Sequence, residues 1–78
     1  MSKIYVNVTA QFDEDGVMRP LWITWSDGRK FKIDKVKGCC RAASLKAGGV
    51  GVRYTCIIEG QERYLFLEEN KWFVEGKY

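Results

Sequence analysis

The residues best able to do chemistry in this 78-residue chain are cations, and they are unevenly placed. Residues 29–46 hold seven bases, Arg29, Lys30, Lys32, Lys35, Lys37, Arg41 and Lys46, against Asp34 alone, a balance of +6. Residues 1–28 carry −2 and residues 47–78 carry −1, so the net charge of +3 originates in one stretch. Such a concentration is the electrostatic footprint of a surface that meets phosphates. Arg53 follows a few residues later, and Tyr54 and Tyr64 offer rings on which an unpaired base can stack if they are exposed. The same cations also suit a solvated strand face, where lysines maintain solubility and discourage edge pairing, or a rim that docks an acidic protein.

Catalytic groups are scarce. The chain has no His for proton transfer near neutral pH, and no nucleophile lies at a local spacing from a base. A non-catalytic protein without a cofactor is therefore expected. The three cysteines are an odd number, and Cys39 and Cys40 are adjacent, which strains any bridge between them. There is no C-x2-C pair to begin a zinc site. The thiols read as inert, with a redox-sensitive Cys39–Cys40 pair beside Lys37 and Arg41 as the alternative. Asp13-Glu14-Asp15-Gly16 is too short for a calcium loop and reads as a solvated turn. Gly48-Gly49-Val50-Gly51 leads into a strand, where a phosphate-binding loop would lead into a helix. No apolar run approaches the roughly 18 residues of a membrane span, and the amino terminus has no signal-peptide core, so a cytoplasmic protein with no membrane contact is expected.

These groups must be positioned by strands, because the apolar residues recur with period two. Ile4, Val6, Val8, Ala10 and Phe12 are expected on one face of a first strand, with Tyr5, Asn7, Thr9 and Gln11 on the other. A turn at residues 13–16 follows, and Pro20 is expected at the first position of the next strand, where its missing N–H matters least. Leu21, Ile23 and Trp25 share one face of that strand, and Trp22 and Thr24 share the other. Asp27-Gly28 predicts a hairpin with a type I′ turn. The return strand turns Phe31 and Ile33 inward and Lys30 and Lys32 outward. Val36 falls at the wrong parity, which predicts a bulge or the end of the strand near Asp34-Lys35.

Residues 38–49 read as a connection, because small residues replace the branched ones; 42–47 has the composition for one or two helical turns. Val52, Tyr54, Cys56 and Ile58 then alternate with Arg53, Thr55 and Ile57. Turns at Glu59-Gly60-Gln61 and at residues 68–71 bracket the segment Arg63–Leu67. That segment is apolar on both faces and is therefore expected at the centre of the sheet or wedged under another segment. The sum is an all-β chain, a single domain over 1–78 folded as a small SH3-like barrel of five or six antiparallel strands with a short helical or irregular crossover. Closure removes exposed edges, which favours a barrel at this size.

The run from Arg19-Pro20-Leu21-Trp22 through Trp25-Ser26-Asp27-Gly28-Arg29 to Phe31-Lys32-Ile33, with Tyr54, Arg63-Tyr64-Leu65-Phe66 and Trp72-Phe73-Val74, resembles a group of small all-β domains from Firmicutes-like bacteria. The group has no assigned activity. Some of its members are encoded near lesion-bypass DNA polymerases or in mobile elements, so the resemblance implies a nucleic-acid context and no catalytic residue.

Two functions are consistent with these features. In the first, a cytoplasmic module contacts DNA or RNA phosphates through Lys32, Lys35, Lys37, Arg41, Lys46 and Arg53, stacks bases on Tyr54 or Tyr64, and shows little sequence specificity. In the second, Tyr5, Trp22 and a sheet edge bind another protein. The expected state is a monomer or weak homodimer.

Overall fold

The computed structural model describes residues 2–41 and 51–76. The helical turns expected over 42–47, and Lys46 with them, lie outside the described residues. Among the described residues there is no helix. Seven strands run in chain order: β1 (Ser2–Tyr5), β2 (Asn7–Phe12), β3 (Met18–Thr24), β4 (Lys30–Arg41), β5 (Val52–Ile58), β6 (Gln61–Glu68) and β7 (Lys71–Gly76). All neighbours are antiparallel, in the order β1-β7-β6-β5-β4-β3-β2.

The two ends of that order, β1 and β2, are separated in sequence by Val6 alone. The sheet must curl until its ends approach that residue, and the result is a half-barrel. Val6 marks the handover: its N–H donates to the Trp72 carbonyl at 3.1 Å, after which the chain leaves β7 and pairs with β3. The expected five or six strands become seven because this first extended segment changes neighbours midway.

The concave side carries the core. Ile23, Ile33, Tyr54, Cys56 and Leu65 are buried together, with Val8, Val36, Trp72 and Val74 packed against them. Tyr54 lies across Leu65 in the β5–β6 ladder, and its ring sits 5.5 Å from that of Trp72. The convex side has its own apolar pair: the rings of Phe66 and Phe73 stack at 5.1 Å and 7°, and Tyr5 meets Phe73 edge-on at 5.8 Å. Leu65 and Phe66, consecutive and both buried, confirm that β6 is covered on both faces.

The turns divide into two kinds. Asp27-Gly28 was expected to form a two-residue I′ turn, which needs positive φ at both residues; only Gly28 has it, at +91°. Trp25 N–H instead bonds to the Arg29 carbonyl at 2.8 Å, and Gly28 N–H to the Trp25 carbonyl at 2.9 Å, so the loop holds three residues. The Asp13–Val17 loop repeats the pattern with Gly16 at +80°. The two-residue turns are Glu59-Gly60 and Glu69-Asn70, with both residues left-handed in each.

Two other expectations need correction. Pro20 is the third residue of β3 and is fully buried. It is tolerated because β3 pairs with β4 only from Trp22 onward, and because Leu21 is an extra residue, a bulge, between the pairs Thr9–Trp22 and Ala10–Pro20. Residues 38–41, expected in a connection, belong to β4: Gly38, Cys39, Cys40 and Arg41 pair with Thr55, Tyr54, Arg53 and Val52. Backbone pairing to β5 outweighs the weak strand preference of these small residues. The bulge expected near Asp34-Lys35 is present, and a second interrupts the register between Val36 and Gly38.

Candidate nucleic-acid interface

Register decides which cations share a surface. In an antiparallel ladder, residues directly opposite each other lie on one face, so the convex face can be followed strand by strand. Lys32 faces Trp22, Lys35 faces Ile57, Gly38 faces Thr55 and then Tyr64, and Cys40 faces Arg53 and then Phe66. Lys32, Lys35, Lys37, Arg53 and Tyr64 are thereby gathered on the convex side of β4, β5 and β6. Lys30 and Lys32 are exposed, as the alternation requires.

Arg53 and Tyr64 form the centre. The guanidinium carbon lies 4.6 Å from the Tyr64 ring centroid, a cation–π contact, and Tyr64 is 47% exposed. The Arg53 Nε is buried without a hydrogen-bond partner, and no carboxylate among the described residues forms an ion pair with this cation. Its charge is held against an aromatic plane, with no opposing anion among the described residues. Gly38, in the neighbouring row, has open space where a side chain would stand. Approach to the Tyr64 edge is not obstructed from that position.

The remaining cations differ in how far they are neutralised. Lys37 reaches Glu62 at 2.8 Å, and that hydrogen bond raises the ammonium above its ordinary value. Arg29 bonds Asp27 at 2.7 Å and lies over the Phe31 ring. Asp27 is held below the usual carboxylate range, chiefly by the Arg29 backbone N–H. Lys32 and Lys35 have no ion pair among the described residues.

Two expected members do not join this surface. Tyr54 is buried on the concave side, 7% exposed, so its ring is unavailable for base stacking; burial also raises its phenol above the ordinary value. The alternation that placed Arg53 outward necessarily turns its neighbour Tyr54 inward. Arg41 is exposed, but it pairs with Val52 and belongs to the opposite side of β4 from Cys40 and Arg53. Nor do Tyr5 and Trp22, 56% and 40% exposed, make a groove together. Tyr5 packs on Phe73 in β7, whereas Trp22 stands beside Lys32 in β4.

Sequence reasoning missed a partly buried ion pair on the same side. Lys3 Nζ lies 3.0 Å from Glu68 Oε1 and 4.7 Å from the Phe73 ring centroid, and Glu68 is only 8% exposed. The hydrogen bond to Glu68 raises the Lys3 ammonium above its ordinary value. Gly51 makes room for this arrangement, since a side chain there would collide with Glu68 and come within 2.7 Å of the Leu67 carbonyl oxygen. An open groove of about 660 Å³ lies where β6 and β7 diverge, lined by Ile23, Trp25, Phe31 and Val74 and bordered by Glu62 and Tyr64, so it adjoins the Arg53–Tyr64 contact.

The adjacent cysteines lie on opposite sides of β4, Cys39 across from Tyr54 and Cys40 across from Arg53. All three thiols are free. Among the described residues, no three His, Cys, Asp or Glu side chains are grouped as a metal ion needs, and no helix is long and apolar enough to cross a membrane. Comparison with protein-family models, with curated proteins and with solved structures finds no match.

Proposed function

We propose that this chain is a non-catalytic module that binds single-stranded DNA or RNA on its convex face. Lys32, Lys35, Lys37 and Arg53 contact phosphates, and Tyr64 stacks an unpaired base. The observation that carries the reading is Arg53, a cation held on an exposed aromatic ring with no opposing carboxylate among the described residues. A guanidinium in that position can meet a phosphate while the ring beside it receives a base, the combination that single-strand binders use. Lysines that meet phosphates position a protein without reading bases, so sequence preference is weak. The resemblance to bacterial domains encoded near lesion-bypass polymerases supports the same direction. An SH3-like barrel is the finer description we favour for the half-barrel, with the first extended segment serving both sheet ends. Three unbridged thiols accord with a reducing cytoplasm.

Salt provides the test. Four phosphate contacts predict an affinity loss of about 50-fold for a single strand between about 50 and 200 mM salt. Fluorescence anisotropy with a labelled mixed-sequence oligonucleotide measures it, and no binding in the lower salt removes the reading. Binding of a protein through Trp22 is the second reading, supported by its 40% exposure beside an equally open Leu21. Such binding would change little over the same range of salt.

A further inference from the structure

The β2 edge lacks the features by which natural sheets prevent their edges from pairing. Edge strands are ordinarily protected by Lys, by Pro, by a bulge or by being very short. β1, the other end of the sheet, is four residues long and carries Lys3. β2 is six residues long, Asn7-Val8-Thr9-Ala10-Gln11-Phe12, with no charge and no Pro. Its bulge with β3 falls on the β3 side, at Leu21, so β2 itself runs in regular register. Among the described residues it pairs with β3 alone. Phe12 is 70% exposed, the most open of the large apolar side chains.

We infer that β2 pairs antiparallel with the β2 of a second copy of this chain, about a two-fold axis through Ala10. The register follows from two constraints. A continuous sheet requires opposed residues to lie on the same face, so the axis must pass through a residue rather than between two. Centring on Ala10 places the smallest side chain of the strand against itself. Val8 then opposes the partner's Phe12, and Thr9 opposes the partner's Gln11. The concave-side pairs are apolar and the convex-side pairs are hydrogen-bonding, and no like charges meet. Val8 is already packed against the core, so Phe12 would gain an apolar neighbour that continues into the other copy's barrel. The inference does not depend on nucleic-acid binding. If both hold, the two convex faces lie on the same side of the joined sheet.

A seam of two short strands falls below the roughly 1,200 Å² of a standard interface, so the dimer is weak and is sought by sedimentation equilibrium from about 20 µM to about 1 mM. The native chain should fit a monomer–dimer equilibrium. Thr9→Lys with Gln11→Lys sets like charges opposite each other twice and should weaken the dimer about tenfold or more. Thr9→Glu with Gln11→Lys changes the same two exposed positions but sets opposite charges across the seam, and should dimerise at least as well as the native chain. Far-ultraviolet circular dichroism of both variants checks that the monomer fold is kept. A native chain that stays monomeric throughout overturns the inference. So does a dimer indifferent to the two lysines, or one that both variants weaken alike.

Discussion

The Arg53 guanidinium lies over the Tyr64 ring, 4.6 Å from its centroid, across the β5–β6 ladder on the convex side of the sheet. The two residues are diagonal neighbours, since Thr55 is the one directly opposite Tyr64. Removing the ring therefore takes away a stacking platform and also releases the cation. Tyr64→Ala should weaken single-strand binding by about 1–3 kcal/mol, the usual cost of a lost base–aromatic stack. Tyr64→Phe should retain most of the affinity, because the ring and not the hydroxyl does the stacking. Anisotropy titrations of the two variants provide the comparison. Equal losses would place the hydroxyl, and not the ring plane, at the contact.

Lysine substitutions should change the salt dependence as well as the affinity. Lys35→Ala removes from the convex face a cation with no ion pair among the described residues and should lower the slope of log K against log salt by about 0.7 for a single strand. Arg41→Ala, on the other side of β4, should leave that slope unchanged. A comparable fall in both would mean that the binding surface wraps around the strand end.

Gly51→Ala should destabilise the fold by about 1–3 kcal/mol, the range for forcing an extra methyl into a packed site. The methyl would meet the Glu68 side chain and the Leu67 carbonyl oxygen at 2.7 Å. Because Glu68 holds Lys3, part of the cost is a displaced ion pair. In a Glu68→Ala background the same substitution should cost measurably less. Urea denaturation of the four chains in the cycle checks the coupling.

The thiols should separate by reactivity. Cys39 and Cys40 are exposed and Cys56 is fully buried, so two thiols should react with a disulfide reagent in the native state and the third only on unfolding. Burial pushes the Cys56 thiol up to about 11 from an ordinary 9.0. The sign follows from linkage. Below pH 9 the thiol is protonated in both states and its contribution is whole. Above that, the unfolded chain ionises first and stability falls, by at most about 1.4 kcal/mol per pH unit, until the native thiol also ionises. Cys56→Ala should make the fall between pH 9 and 10 shallower, leaving the part due to the Tyr54 phenol, which burial also raises above its ordinary 10.0. The loss at higher pH, as the Lys3 ammonium that Glu68 holds protonated begins to titrate, should remain.

Glu59 has a φ of +52° in the turn between β5 and β6, a region that costs most side chains energy. Asn accepts it readily and precedes Gly in the commonest I′ turns. Glu59→Asn should stabilise the protein by about 0.5–1 kcal/mol, measured by thermal or urea denaturation, with unchanged nucleic-acid binding.

Much of this architecture was legible wherever side-chain alternation coincided with branched or aromatic residues. Ile23, Ile33 and Cys56 lie on the faces that period two assigns them. The parity error at Val36 located a real bulge, because a single extra residue leaves a visible mark on a period of two. The pattern was unclear where backbone pairing alone holds the strand, as at Gly38-Cys39-Cys40-Arg41. It misled at the distal half of β2, where Ala10 and Phe12 keep the inward parity but extend past the barrel and have no core to enter. The basic surface was legible as composition and not as geometry. Lys32, Lys35, Lys37 and Arg53 share a face, but Arg41 and Tyr54 do not, because the two bulges in β4 and the alternation of β5 decide sides residue by residue. The Lys3–Glu68 pair joins residues 65 apart in sequence, and no local spacing could indicate it.

The pairing of β1 with β7 has a temporal consequence. Tyr5 meets Phe73 across 68 residues of sequence, so a strand made early must wait for one made late. At about 5–20 residues per second, several seconds of synthesis separate the two. During that interval β1 and β2 have no closed sheet to complete, and the uncharged β2 segment is exposed to neighbouring nascent chains. The half-barrel therefore closes only once β7 has emerged from the ribosome, and factors that hold the β1–β2 segment until then should raise its yield.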